Sequence, residues 1–155
     1  MKGDPEVISA LQAMLAAEAH ANIWYRNMWR VVKHMGVKAS AHDLKSLGTR
    51  MHRFMKILKD RLLDFKADVT YEVGEISDES TLTATFKTAQ AMEDDLSDMG
   101  QAAIELAVAK NDETTAEKLR HITERHQEDV VWLDEQLTLI AGMGEPLYVS
   151  EKLKK

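Results

Sequence analysis

The sequence has no cysteine, and only seven glycines and two prolines among its 155 residues. The first absence excludes disulfides, thiolate chemistry and cysteine-ligated zinc. The second argues for long uninterrupted helices, since glycine and proline are the residues that interrupt them. No stretch is apolar enough for long enough to span a membrane, and the opening Met1-Lys-Gly-Asp-Pro-Glu lacks the apolar core of a secretory signal. A cytoplasmic protein is the expectation. The formal net charge is -6 with acids and bases interspersed, so no basic stripe offers itself to nucleic acid. A single domain over residues 1–155 with one substantial core is expected at this length. The nine methionines read as adaptable core filler.

What the chain does have is four apolar seams with helical spacing, steps of three and four residues that mark one buried helix face. The first begins behind an N-cap and proline, Asp4-Pro5, and reads Ile8, Leu11, Leu15, position 18, position 22, Tyr25, Trp29, Val32, until Gly36. The second reads Leu44, Leu47, Met51, Phe54, Leu58, Phe65 and is wholly apolar. The third reads Leu82, Phe86, Ala89, position 93, Leu96, Gly100, Ala103, Ala107. The fourth follows a tight turn at Asn111-Asp112 and reads Leu119, Ile122, position 126, position 129, Leu133, Leu137, Ile140, ending at Gly142, Gly144 and Pro146. Helices are predicted at about 5–35, 39–67, 80–110 and 113–141, with a short one at about 145–153. Residues 68–80 break the period; at ~3.3 Å per residue they reach ~40 Å, about the length of a 28-residue helix. That link can cross the whole bundle and leave the second and third helices parallel, giving an all-α four-helix bundle of two hairpins. Spacing alone equally permits an up-down-up-down bundle with a large surface loop.

Four seam positions carry charge-bearing groups: Glu18, Glu93, His126 and Asp129. Glu18 and Glu93 stand equally far from the ends of their helices at Met35 and Lys110, and His126 lies as deep in its helix as Met51 does in the returning second one. All therefore fall near mid-bundle. Buried charge is tolerated when paired or metal-bound, and three carboxylates with one imidazole suit a divalent cation such as iron, manganese or zinc. The plainer alternative is a buried hydrogen-bonded cluster completed by Asn22, Tyr25 or an arginine from a neighbouring helix. His20, His34, His42 and His121 fall off the seams or near helix ends and read as solvated; Trp24, Trp29 and Trp132 read as packing or interface residues.

Met1-Lys-Gly-Asp4, Val7-Ile8, Glu18, Tyr25, Gly36, Gly74-Glu75, Ala91-Met92-Glu93, Trp132-Leu133 and Leu139-Ile140 resemble bacterioferritin over nearly the whole chain. The resemblance implies a single ferritin-like domain. It also implies a di-iron ferroxidase centre to which two helices give one glutamate each and two give a Glu-x-x-His pair. Glu18 and Glu93 match the single glutamates. Met51 and Phe54 stand where one Glu-x-x-His pair belongs, and His126 and Asp129 replace the other in reversed order. One wall then supplies neither bridging carboxylate nor imidazole, so weak or absent di-iron ferroxidase activity is expected, with a single metal at Glu18, Glu93, His126 and Asp129, or none.

Bacterioferritins also carry haem between two subunits, held by one methionine from each. The ungapped match puts His52 at that place, with Met51 just before it. The candidate axial ligand for haem b is thus His52, or Met51 if the register slips by one residue; the slip would push Leu44, Leu47 and Phe54 off their seam. Gly48 and Ala19 are small enough to leave room for a flat cofactor, and Lys45, Arg26 or Arg53 can pair its propionates. As an ordinary surface or interface histidine, His52 needs no ligand. The functions implied are an iron-storage, haem-binding subunit of a hollow cage with a two-fold dimer interface, perfected by a second, ferroxidase-competent bacterioferritin subunit. The alternatives are a b-type electron-transfer cytochrome on the same scaffold without iron storage, and a bundle whose only role is assembly. Copper is disfavoured because Met51-His52 and His34-Met35 do not share a face.

Overall fold

The structure, a computed structural model, describes residues 2–153. Five helices follow in order: α1 Pro5–His34, α2 Lys38–Asp64, α3 Leu82–Ala109, α4 Glu113–Met143 and α5 Glu145–Leu153. Their ends are chemically marked. The Asp4 carboxylate accepts from the backbone N–H groups of Glu6 and Val7, and Asp112 accepts from Thr115 N–H, each satisfying donors that the first turn leaves unpaired. Thr81 caps α3 in the same way through Ala84 N–H. Gly144, at φ 81°, ends α4 in a conformation that a side chain would strain.

Contacts between helices give the topology. Asn22 on α1 donates to the carbonyl of Gly48 on α2 at 2.9 Å, while Gly3 before α1 abuts the ring of Phe65 after α2. Tyr25 on α1 meets Glu93 on α3, and Asp4 lies 3.8 Å from Lys110 at the far end of α3. Helix α1 is therefore antiparallel to both α2 and α3, which makes α2 and α3 parallel. Helix α4 runs antiparallel to α3, as Gln90 pairs with Asp134 and Glu93 with His126. The bundle is two hairpins joined by the long crossover, not an up-down-up-down arrangement.

The crossover lies along α1 in the direction of α1. Gln12 donates to the carbonyl of Asp68, the His20 ring to that of Glu75, and the Trp24 indole N–H to Glu79 Oε2 at 3.4 Å. His20, expected to be solvated, thus anchors the link. Covered by α2, α3 and this segment together, α1 buries Met14, Ala21, Trp24 and Met28 as well as its predicted seam apart from Ile8 and Trp29, which stay partly exposed. Each such large side chain contributes about 1.5–3 kcal/mol on burial.

Helix α2 stops at Asp64, three residues before its expected end, because Lys66 turns left-handed at φ 57° and the Ala67 N–H returns to the carbonyl of Leu62. Nor is its seam wholly apolar. Arg61 is buried beneath the α4 N-terminus, donating to Thr115 Oγ1 at 2.9 Å and to Asp112 Oδ1 at 3.1 Å, with its guanidinium 4.3 Å from the Phe65 ring. Burial works against the Asp112 charge, yet its bonds to Thr115 and Arg61 outweigh this and hold its carboxyl below the ordinary range. At the other end of the bundle α5 seats Tyr148 edge-on to Phe86, its hydroxyl on Gln136 Oε1 at 2.6 Å. Among the described residues, no helix is long and apolar enough to cross a membrane.

Candidate metal centre

Midway along the bundle, His126 on α4 stands between two carboxylates. Its Nε2 lies 2.8 Å from Glu18 Oε2 on α1 and its Nδ1 2.6 Å from Glu93 Oε1 on α3, and all three residues are 0 % exposed. With an acceptor at each nitrogen, the ring is held as an imidazolium that donates both N–H groups. Burial opposes its charge, but the hydrogen bonds and charges of Glu18 and Glu93 outweigh burial and push its pKa up to about 10. Burial raises Glu18 despite its bond to His126.

The second oxygen of Glu93 accepts the Tyr25 hydroxyl at 3.0 Å. Burial and the adjacent Glu93 charge push that phenol well above its usual value, so it stays a neutral donor. One turn beyond His126, Asp129 is 3 % exposed and accepts from Arg50 Nη2 through Oδ1 at 2.6 Å. Burial and the Glu93 charge raise the Asp129 carboxyl, Arg50 restrains it, and it settles at about 6.

The four residues singled out as metal candidates are thus all buried at one level, but they do not form one ligand set. Glu93, His126 and Asp129 bring one donor atom each within 4.8 Å of one another. Glu18 stands across the imidazole ring, outside that group. Two buried carboxylate oxygens, Glu18 Oε1 and Asp129 Oδ2, have no hydrogen-bond partner among the described residues. The remaining wall is apolar: Met51 and Phe54 are buried, and the Phe54 ring meets His126 edge-on at 5.1 Å. The arginine expected from a neighbouring helix is Arg50. Its signal is its spacing, three residues after Leu47 and four before Phe54, which puts it on the flank of the α2 seam.

Glu93, His126 and Asp129 offer two carboxylate oxygens and one imidazole nitrogen, donors of the kind a divalent cation takes. The unpartnered Asp129 Oδ2 faces a cluster that already contains a second carboxylate and an imidazole. For a second metal, α2 offers Met51 and Phe54, which give no oxygen or nitrogen, and the Arg50 guanidinium, which is itself a cation.

His52 lies elsewhere, exposed on the outer α1–α2 face in a groove of about 500 Å³ with Asn22, Arg26, Trp29, Arg30, Lys45 and Thr49. Met51, the alternative haem ligand, is fully buried among core residues, so of the two only His52 reaches a partner surface. Gly48 also lines this groove, whereas Ala19 does not. A Cβ at Gly48 would come within 2.9 Å of Tyr25 Cβ, so the missing side chain serves close α1–α2 packing; Ala19 is in the core. The groove walls are basic, with Arg30 and Lys45 stacked 4.5 Å and 4.9 Å from the Trp29 ring.

Two antiparallel hairpins joined by a bundle-length crossover, with carboxylates of α1 and α3 meeting α4 at mid-height, define the ferritin-like class. The ferritin-like domain family matches residues 8–143, and the chain belongs to it. Within the family it is a divergent homologue of bacterioferritin. It is 28% identical to bacterioferritin of Streptomyces coelicolor over 156 residues, covering 100% of this chain and 93% of the relative. It is 26% identical to bacterioferritin BfrA of Mycobacterium tuberculosis, covering 97% and 96%. The solved structure of M. tuberculosis BfrA superposes with a TM-score of 0.94 over 98% of this chain and 96% of that one.

Proposed function

We propose that the protein is a shell-forming, iron-storage subunit of the bacterioferritin kind that does not oxidise iron at a di-iron centre of its own. The observation that carries this reading is the α2 wall: Met51 and Phe54 fill it with apolar atoms, and Arg50 is ion-paired to Asp129 at 2.6 Å. A close pair of irons requires bridging carboxylates, and none projects from α2 at this level. The subunit then contributes to a hollow cage assembled through two-fold contacts, with a second, ferroxidase-competent bacterioferritin subunit supplying oxidation. A cytoplasmic site of action accords with this role in iron homeostasis.

Ferrous iron added aerobically to the assembled protein is expected to oxidise in one slow phase, at the rate of a protein-free control. A fast phase in the near-ultraviolet absorbance that saturates at about two irons per chain would sink the proposal.

The exposed position of His52 in a basic groove favours a second feature, haem b held between two subunits by one His52 from each. Arg26, Arg30 and Lys45 would pair its propionates; bound haem would supply one-electron transfer, the chemistry of a b-type cytochrome. After reconstitution with haemin and reduction, sharp α and β bands are expected that His52→Ala removes. A spectrum showing only free haemin would withdraw the haem assignment and the cytochrome alternative together.

A further inference from the structure

We infer that the centre takes a single divalent cation ligated by Glu93, His126 through Nδ1, and Asp129, that Glu18 orients His126 without ligating, and that Arg50 stands as a fixed positive charge where a second cation would otherwise be needed. This rests on the reading of a centre that holds no iron pair.

Geometry comes first. Donor atoms of Glu93, His126 and Asp129 lie within 4.8 Å of one another. Ligands ~2.0–2.2 Å from a common ion stand roughly 3–4 Å apart, so small side-chain shifts close the site. The Asp129 carboxylate is already positioned by Arg50 through Oδ1, while Oδ2 is buried without a partner. Such an oxygen is costly to leave unsatisfied. Glu18 meets the opposite ring nitrogen, Nε2, at 2.8 Å. A carboxylate in that place accepts the second N–H of a metal-bound histidine and fixes its tautomer and tilt.

Charge sets the stoichiometry. Glu18, Glu93 and Asp129 contribute three negative charges to the buried cluster, and Arg50 one positive charge. One divalent cation with a neutral imidazole brings the sum to zero. A second divalent cation would leave two positive charges, which burial penalises. On binding, the Nδ1 proton leaves to solvent as the metal takes that lone pair, and the Nε2 proton stays on the ring, donated to Glu18. Two carboxylate oxygens and one imidazole nitrogen are the donors of iron(II), manganese, cobalt or zinc, and not of soft copper(I).

The test is a titration of chelator-treated, assembled protein with cobalt(II) alone, read by its visible d–d bands and by equilibrium dialysis. One cobalt per chain is expected, with the largest paramagnetic shifts on the His126 ring among the six histidines. The shifts need no variant. Asp129→Asn should abolish uptake, whereas Glu18→Gln should keep one cobalt per chain and weaken its affinity about 10–100-fold. Each variant is first matched to the unmutated protein in helicity and assembly. No cobalt at His126 overturns the inference and leaves the absence of an iron pair standing. Two per chain overturns both. Loss in Glu18→Gln as complete as in Asp129→Asn overturns the orienting role of Glu18.

Discussion

Replacing His126 with alanine is expected to lower the stability of the metal-free protein by about 3–5 kcal/mol, the usual cost of removing one partner from a buried ion pair. Among the described residues the imidazole is the only hydrogen-bond donor that reaches Glu18 Oε2, and it shares Glu93 with Tyr25. Its removal strands a carboxylate on α1, leaves another on α3 half-satisfied, and opens a void beside the Phe54 ring. For a chain of this size the melting temperature should fall by roughly 6–20 °C, at about 2–4 °C per kcal/mol. Scanning calorimetry with chelator present, on variants of equal oligomeric state, measures it. In a Glu18→Gln background the same substitution should cost less, because one of the stranded charges is already gone. A loss below about 1 kcal/mol in the otherwise unmutated protein would contradict the clamp drawn by the two short hydrogen bonds.

That cluster also shows what a sequence exposes and what it conceals. Glu18, Glu93, His126 and Asp129 were legible because each interrupts an otherwise apolar seam, and a seam fixes a side chain's direction through helical period alone. The same period set the four long helices, and Asp4, Asp112 and Gly144 marked three of their ends through ordinary capping chemistry. Partner choice depends on a second helix whose rotation the period does not determine. Arg50, on the flank of its seam, therefore could not be assigned to Asp129, nor Glu18 to the far side of the imidazole. Burial of Arg61 escaped notice for a related reason: it is offset by Thr115 and Asp112, which are distant in sequence. Gly48 lines the His52 groove, and its smallness also answers to Tyr25 on the neighbouring helix, which its own seam could not show. The burial of Trp24 and the anchoring role of His20 follow from the path of a crossover that has no period to read.

The polar centre should give the metal-free protein an unusual dependence on pH: stability greatest in mild acid and falling steadily into the alkaline range. His126 binds its proton more tightly when folded, with a pKa of about 10 against an ordinary 6.5. Its stabilisation is therefore complete below pH 6.5 and is lost as the pH rises through about 10. At about 1.4 kcal/mol per unit the loss is several kcal/mol, on the order of 5. Asp129, raised from 3.8 to about 6, acts in the same sense over a lower window, since burial favours its protonated form and that advantage is gone once the pH exceeds about 6. Glu18, raised by burial, adds to this trend. Asp112 acts oppositely; held low by Thr115 and Arg61 against its burial, it withdraws support only as the pH falls below its ordinary 3.8. On these shifts stability is greatest near pH 4, above the loss from Asp112 and below the losses from Asp129 and Glu18. Thermal melts at pH 5, 7 and 9 with chelator present should show a descending series, and His126→Ala should flatten the portion above pH 6.5. A melting temperature that rises from pH 5 to 9 would mean that the folded centre holds no extra proton, on the ring or on either carboxylate partner, and would overturn the imidazolium clamp.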